Sequence, residues 1–151
     1  MNLLSKIAWS FGSKNFKNIE DFNKEISQYQ KDIMKDRACW NPEEIVIKSP
    51  NVDIQFEAWL KGPDDILENE TLLEEEDFFE DEDNSDGEHF QAEILARFNA
   101  DNGKYFTALE LMYKLHKQMQ SKELGDHVFF EGLSSYESDD DVPGFYLNCG
   151  S

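Results

Sequence analysis

Apolar and polar residues alternate over two stretches of the chain, and apolar residues recur at helical spacing over three others. In the first alternating stretch, Val52, Ile54, Phe56, Ala58 and Leu60 interleave with Asp53, Gln55, Glu57 and Trp59. Period two is the signature of a strand with one buried and one wet face. The stretch 43–49, EEIVIKS, reads as its hairpin partner through Ser49, Pro50 and Asn51, and Gly62-Pro63 ends the strand. Phe90, Ala92, Ile94, Ala96 and Phe98 alternate in the same way. Their composition also allows a helix, but the turn residues Asp101, Asn102 and Gly103 favour a strand.

Helical spacing begins with Leu3, Leu4, Ile7, Ala8 and Phe11, which predict a short amphipathic helix ending near Gly12. A second helix is predicted over about 19–35. Asn18 caps it, Glu20 and Asp21 favour the positive end of its dipole, and Phe22, Ile26, Tyr29 and Ile33 form its apolar stripe. In the third, Thr107 is the N-cap and Glu110 completes a capping box. Leu111, Leu115 and Met119 face one way, and Gly125 terminates the helix. DHVFFEGLSSY and GFYLNCG read as two closing strands joined by ESDDDVPG. The predicted order is ααβββαββ. It describes one α+β domain over 1–151, an antiparallel sheet of about five strands with helices on one face and an acidic insertion at about 63–88 between strands.

Charge changes this picture more than composition does. The chain has 151 residues, 39% of them hydrophobic and 13% aromatic, which is too apolar for a disordered acidic tail. Its formal net charge is −19, and the charge is uneven. Residues 62–96 hold 15 of the 33 acidic side chains and no lysine or arginine. Such a surface repels nucleic acid and anionic membranes and steers a cationic protein towards itself. No apolar run reaches the length of a membrane span. The opening MNLLSKIAWSFGSK does not read as a signal peptide, because Lys6 interrupts it and no cleavage site follows. Cys39 and Cys149 make no disulfide framework and fit two thiols in a reducing cytoplasm.

Three chemistries are open to these side chains. Cys149, His127 and Glu131 sit on the two closing strands and would make a thiol nucleophile with a base, against the simpler reading of a core cysteine. His89, His116 and His127 would hold a metal only if the fold gathered them. Glu82, Asn84, Asp86, Gly87 and Glu93 fall at the spacing of a calcium loop, with glycine at the turn position. That match has Glu where the first ligand is normally Asp, and a strand where a helix should follow. It is the basis of an alternative reading as a divalent-cation-binding regulatory domain using 82–93. No phosphate-binding loop or hydrolase motif is present, so no catalytic residue and no cofactor is expected. Trp59 shares the polar face of its strand with Asp53, Gln55 and Glu57. It is either an exposed anchor ringed by acids or covered by another element.

The stretch NADNGKYFTALELMYKLHKQM, then GDHVFFEGL, then PGFYLNCGS, resembles small bacterial immunity-type proteins associated with polymorphic toxins; the likeness covers about residues 98–151. The resemblance implies a small, non-enzymatic cytoplasmic protein that neutralises a cognate toxin domain. Many such toxins are nucleases with basic clefts, and an acidic surface can fill such a cleft as a phosphate mimic. On this reading the candidate partner-binding residues are Asp77, Glu80, Asp81, Glu82 and Asp83, with Leu72, Phe78 and Phe79 as apolar anchors and Trp59 as a further contact.

Overall fold

A computed structural model describes residues 2–151. In chain order its elements are strand β1 (Asn2–Leu3), helix α1 (Ile19–Met34), and strands β2 (Ile45–Ile47), β3 (Asn51–Leu60), β4 (Glu70–Leu72), β5 (Phe90–Asn99) and β6 (Phe106–Thr107). Helix α2 (Ala108–Met119) and strands β7 (Phe129–Tyr136) and β8 (Gly144–Gly150) follow. The fold is α+β. Six strands form one sheet in the order β1-β7-β8-β3-β5-β4, and β2 and β6 form a separate two-stranded ladder. The main sheet is one strand larger than predicted. It is also not wholly antiparallel, because β8 runs parallel to β3 at its centre.

The two alternating segments are β3 and β5, and they pair with each other along their whole length, from Asn51 opposite Asn99 to Leu60 opposite Phe90. Their apolar residues fall on one side because the side-chain period is two. There they pack with Phe22 and Ile26 of α1 and with Leu111, Met112, Leu115 and Met119 of α2. Burying each such side chain contributes roughly 1.5–3 kcal/mol, which fixes the helices to this face. The segment between β3 and β5 is the acidic insertion, and it is not all loop: β4 pairs with the middle of β5.

The helix caps follow the expected chemistry. The Asn18 side chain accepts from the Asp21 N–H at 2.8 Å, and the Thr107 hydroxyl from the Glu110 N–H at 3.1 Å. Glu110 does not close a capping box. Its carboxylate takes the Asp101 N–H at 2.8 Å and so ties the preceding turn to the helix. Helix α2 ends at Met119, before Gly125. In α1, Ile33 is 53% exposed, while Gln30 is buried and bonds both the N–H and the carbonyl of Ala8.

That last contact belongs to the largest departure from expectation. Residues 3–11 are not helical. After β1 the chain runs extended along β7, with Phe130 N–H bonded to the Trp9 carbonyl and Phe11 N–H to that of Val128, both at 2.8 Å. Ile7, Trp9 and Phe11 are all buried, a period of two that competes with the helical spacing of Leu3, Leu4 and Ile7. The Trp9 indole donates to His116 Nδ1 at 3.3 Å, and His116 Nε2 bonds the Lys14 carbonyl at 2.8 Å. Burial pulls the His116 pKa down, which suits a neutral ring that accepts at one nitrogen and donates at the other.

The predicted hairpin of 43–49 with β3 does not form either. Strand β2 pairs with β6 instead. The closing strands β7 and β8 do pair, across a bulge at Gly132, whose φ of +100° suits only glycine. Opposite Tyr136, a Cβ on Gly144 would lie 2.2 Å from the tyrosine ring, so only glycine lets that ring lie flat on the strand.

Candidate partner-binding face

Both helices pack on one side of the sheet, which leaves the other side without a covering layer. Gln55, Glu57 and Trp59 of β3, Gln91 and Glu93 of β5, and Tyr146 and Asn148 of β8 line this open side. Tyr146 is 46% exposed and packs against Tyr136 with ring centroids 4.8 Å apart. Arg97 is fully engaged: it grips buried Asp53 through two bonds of 2.6 and 2.8 Å and reaches Asp140 at 3.3 Å. These carboxylates push its already high pKa further up.

A cleft opens in the middle of this face. The parallel ladder between β3 and β8 stops at Gln55 opposite Tyr146. Beyond it β3 bonds the 123–125 segment instead, with Trp59 N–H donating to the Glu123 carbonyl at 2.9 Å. The edge of β3 at 56–58 therefore faces β8 across a gap of about 680 Å³. Glu57, Glu93 and Glu131 line the gap, and no lysine or arginine does. Glu57 and Glu93 are directly opposed in the antiparallel ladder, a position where like charges repel. Glu57 accepts from Gln91 at 3.0 Å, and the Glu93 backbone N–H donates to Glu74. Burial, then the hydrogen bond and charge of Glu57, then the charge of Glu74, raise the Glu93 carboxyl to about 7.

Trp59 is half-buried, between the two alternatives its pattern allowed. One side of it lies along the 123–125 segment and another lines the cleft. Cys149, His127 and Glu131 do line the same cleft. Burial, with the nearby Glu131 charge, pushes the Cys149 thiol up to about 12, the opposite of what an activated nucleophile needs. His127 is exposed and lies 3.3 Å from Asp126.

The acidic segment is fixed to one edge of the sheet. Glu70 of β4 is buried on the helix side, where it accepts from Lys122 Nζ at 2.7 Å, Gln118 at 2.6 Å and the Leu67 N–H at 2.7 Å. Lys122 is as buried as its partner. Further on, Phe78 is buried, and Phe78, Phe79 and Phe90 form an aromatic trio with centroids 5.1–5.9 Å apart. The Asn84 side chain donates to the Phe78 carbonyl at 3.0 Å. Leu72, Phe78 and Phe79 therefore pack inward and hold the segment down. Phe78 is buried, while Leu72 and Phe79, the other two expected apolar anchors, are half-buried. Asp77, Glu80, Asp81, Glu82 and Asp83 all stand exposed on two single-turn helices, Phe78–Glu80 and Glu82–Asn84.

The calcium-loop spacing does not become a calcium loop. Gly87 makes its turn at φ +104°, but the Asp86 carboxylate is used by the N–H groups of Glu88 and His89, which lower its pKa. Glu93 lies in β5 beside Glu57. Among the described residues no three His, Cys, Asp or Glu side chains are placed to hold a metal ion, so the three histidines are not gathered either. No helix among them is long and apolar enough to cross a membrane. Two features escaped sequence reading: the opposed Glu57–Glu93 pair and the Lys122–Glu70 clamp. Alternation placed Glu57 on the wet face, but only the register brings Glu93 opposite it.

No protein-family model, characterised protein or solved structure matches this chain.

Proposed function

We propose that this chain is an immunity-type inhibitor: a non-enzymatic, cytoplasmic protein that binds a basic bacterial toxin domain, of the nuclease type, through an acidic surface. One observation carries the reading. Asp77, Glu80, Asp81, Glu82 and Asp83 are all exposed, yet the backbone that bears them is anchored by buried Phe78 and by the buried Glu70–Lys122 pair. A solvated loop with no task needs no such anchoring. Carboxylates on a fixed frame lose little conformational freedom when a partner arrives, which favours affinity as well as steering. The high pKa of Cys149 supports a binding role over a nucleophilic one.

The test begins with capture of a partner from the encoding organism on the tagged chain, with washes at low and high salt. The captured domain should be basic and toxic when expressed alone, and one equivalent of this chain should silence it. Reversing Asp77, Glu80, Asp81, Glu82 and Asp83 to lysine should slow association by roughly 10- to 100-fold at low salt and flatten its salt dependence. If the reversed variant associates at the wild-type rate, the acidic segment is not the binding surface. If no toxic partner is captured, the inhibitor reading fails.

A further inference from the structure

We infer that the gap between β3 and β8 is a slot for an extended segment of the partner protein, which enters as an added strand with an apolar side chain below and basic side chains above. The inference rests on the inhibitor reading for who the partner is, and on the backbone of this chain for how it binds.

Backbone on both walls of the gap lacks a strand partner. On β3, the Asp53 N–H bonds the Pro143 carbonyl and the Trp59 N–H bonds the Glu123 carbonyl, both at 2.9 Å. Backbone direction repeats every two residues, so Glu57 turns its N–H and carbonyl to this same side. Its cross-strand neighbour agrees. Glu93 uses its backbone away from β3: its carbonyl accepts from the Leu73 N–H at 2.9 Å, and its N–H donates to Glu74. The ladder with β8 has already stopped at Gln55 opposite Tyr146. Glu57 is therefore left without a strand partner on the gap side, although bonds flank it at both ends. On β8, Cys149 lies opposite Phe130, whose N–H is given to the Trp9 carbonyl on the far side of β7. That makes Cys149 and Phe130 a non-hydrogen-bonded pair, and Cys149 turns its own N–H and carbonyl to the gap.

Size and lining also suit a strand. At about 3.3 Å of rise, 4.8 Å between strands and 10 Å between layers, a strand residue occupies roughly 160 Å³. The gap of about 680 Å³ then holds about four residues. Its floor, on the helix side, includes Met119 and Leu124. Its open rim carries Glu57, Glu93 and Glu131, with no lysine or arginine in the lining. Alternate side chains of a strand point to opposite faces, so an entering segment sets an apolar residue on the floor and the residues on either side of it against the rim. Charge complementarity makes those two residues lysine or arginine, and it disfavours a second copy of this chain, whose net charge is −19. Main-chain bonds to Glu57 and Cys149 supply affinity, and the alternation of side chains supplies selectivity.

The test uses the whole chain and three blocked pentapeptides. The first reads threonine, lysine, valine, lysine, threonine; the second has the valine nitrogen methylated; the third has glutamate in place of lysine. Hydrogen exchange at single amides is followed by NMR. In the free chain the Glu57 and Cys149 amides should exchange quickly beside the paired amides of β5. The lysine peptide should slow both by roughly 10-fold or more at saturation and shift the Trp59 indole N–H. The methylated peptide should do neither, because it lacks a donor and its methyl group meets the wall. Slow exchange at Glu57 and Cys149 in the free chain, no slowing by the lysine peptide, or equal slowing by the methylated one overturns the slot. Equal slowing by the glutamate peptide overturns the basic character of the segment. Slowing that grows with protein concentration alone gives the slot to a second copy and overturns the partner segment. The proposed function fails separately. A slot that takes the lysine peptide in a chain with no toxic partner removes the inhibitor reading alone. A captured toxin that leaves the Glu57 and Cys149 amides exchanging as before removes the slot alone.

Discussion

Glu70 and Glu93 lie on neighbouring strands of one sheet, face opposite sides, and are neutralised in different ways. Glu70 points to the helix side and meets Lys122, Gln118 and the Leu67 N–H, so both of its carboxylate oxygens are bonded. Glu93 points to the open side, meets another glutamate, and holds a proton to about pH 7. The first arrangement is a structural joint: a buried charge with its counter-charge built in. The second leaves a position that a structure alone would not favour, since replacing either acid by glutamine would relieve the repulsion. The pair of cases separates an acid bonded into the fold from one that the fold leaves facing its like.

The sharpest way to break this contrast is Lys122→Met. Removing one partner of a buried pair strands Glu70 without a counter-ion, and unfolding in urea should show a loss of about 4 kcal/mol. A loss under about 1 kcal/mol would mean that water already reaches the pair. Phe78→Ala should come next, at about 3 kcal/mol from lost burial and the cavity left behind. Amide exchange should speed up around residues 74–90 more than in β3, because the damage falls on the anchor of the acidic segment.

Glu93→Gln should act in the opposite direction. The folded carboxyl titrates near 7 and the ordinary glutamate value is 4.5. The folded state therefore binds more protons between these values, and stability falls as pH rises through that window. Glutamine removes the fall. After solvent screening, the variant should be more stable than wild type by about 1 kcal/mol at pH 8 and indistinguishable at pH 4. Parallel pH profiles of the two proteins would show that the Glu57–Glu93 repulsion is not felt. Smallest of all should be Glu82→Gln, with a change below about 0.5 kcal/mol, since this exposed side chain holds nothing in place.

The sequence made single elements legible and left their partners obscure. Helices α1 and α2 and strands β3, β5, β7 and β8 are each announced by a periodicity or a cap within one local stretch. Pairing is not local. Nothing in EEIVIKS says that it will meet Phe106 and Thr107 across the chain rather than β3 next door. The parallel insertion of β8 beside β3 carries no periodic signal either, and the cleft depends on where that ladder stops. For the same reason the exposed acids could be named from composition, while the opposed glutamates could not. The misread segment 3–11 shows two periods competing. Leu4 at φ +58° breaks any helix there, and the alternation of Ile7, Trp9 and Phe11 prevails because β7 offers bonding partners.

The parallel seam between β3 and β8 also bears on how quickly the molecule forms. Asp53 pairs with Gly144, and Asn2 with Ser134, so the central seam and one edge of the sheet are closed by residues far apart along the chain. Closing such distant pairs costs loop entropy before any contact repays it, which places folding on the slow side, in milliseconds to seconds. The β7–β8 hairpin can assemble early, but the groove it shares with β3 comes into being only with that last long-range closure.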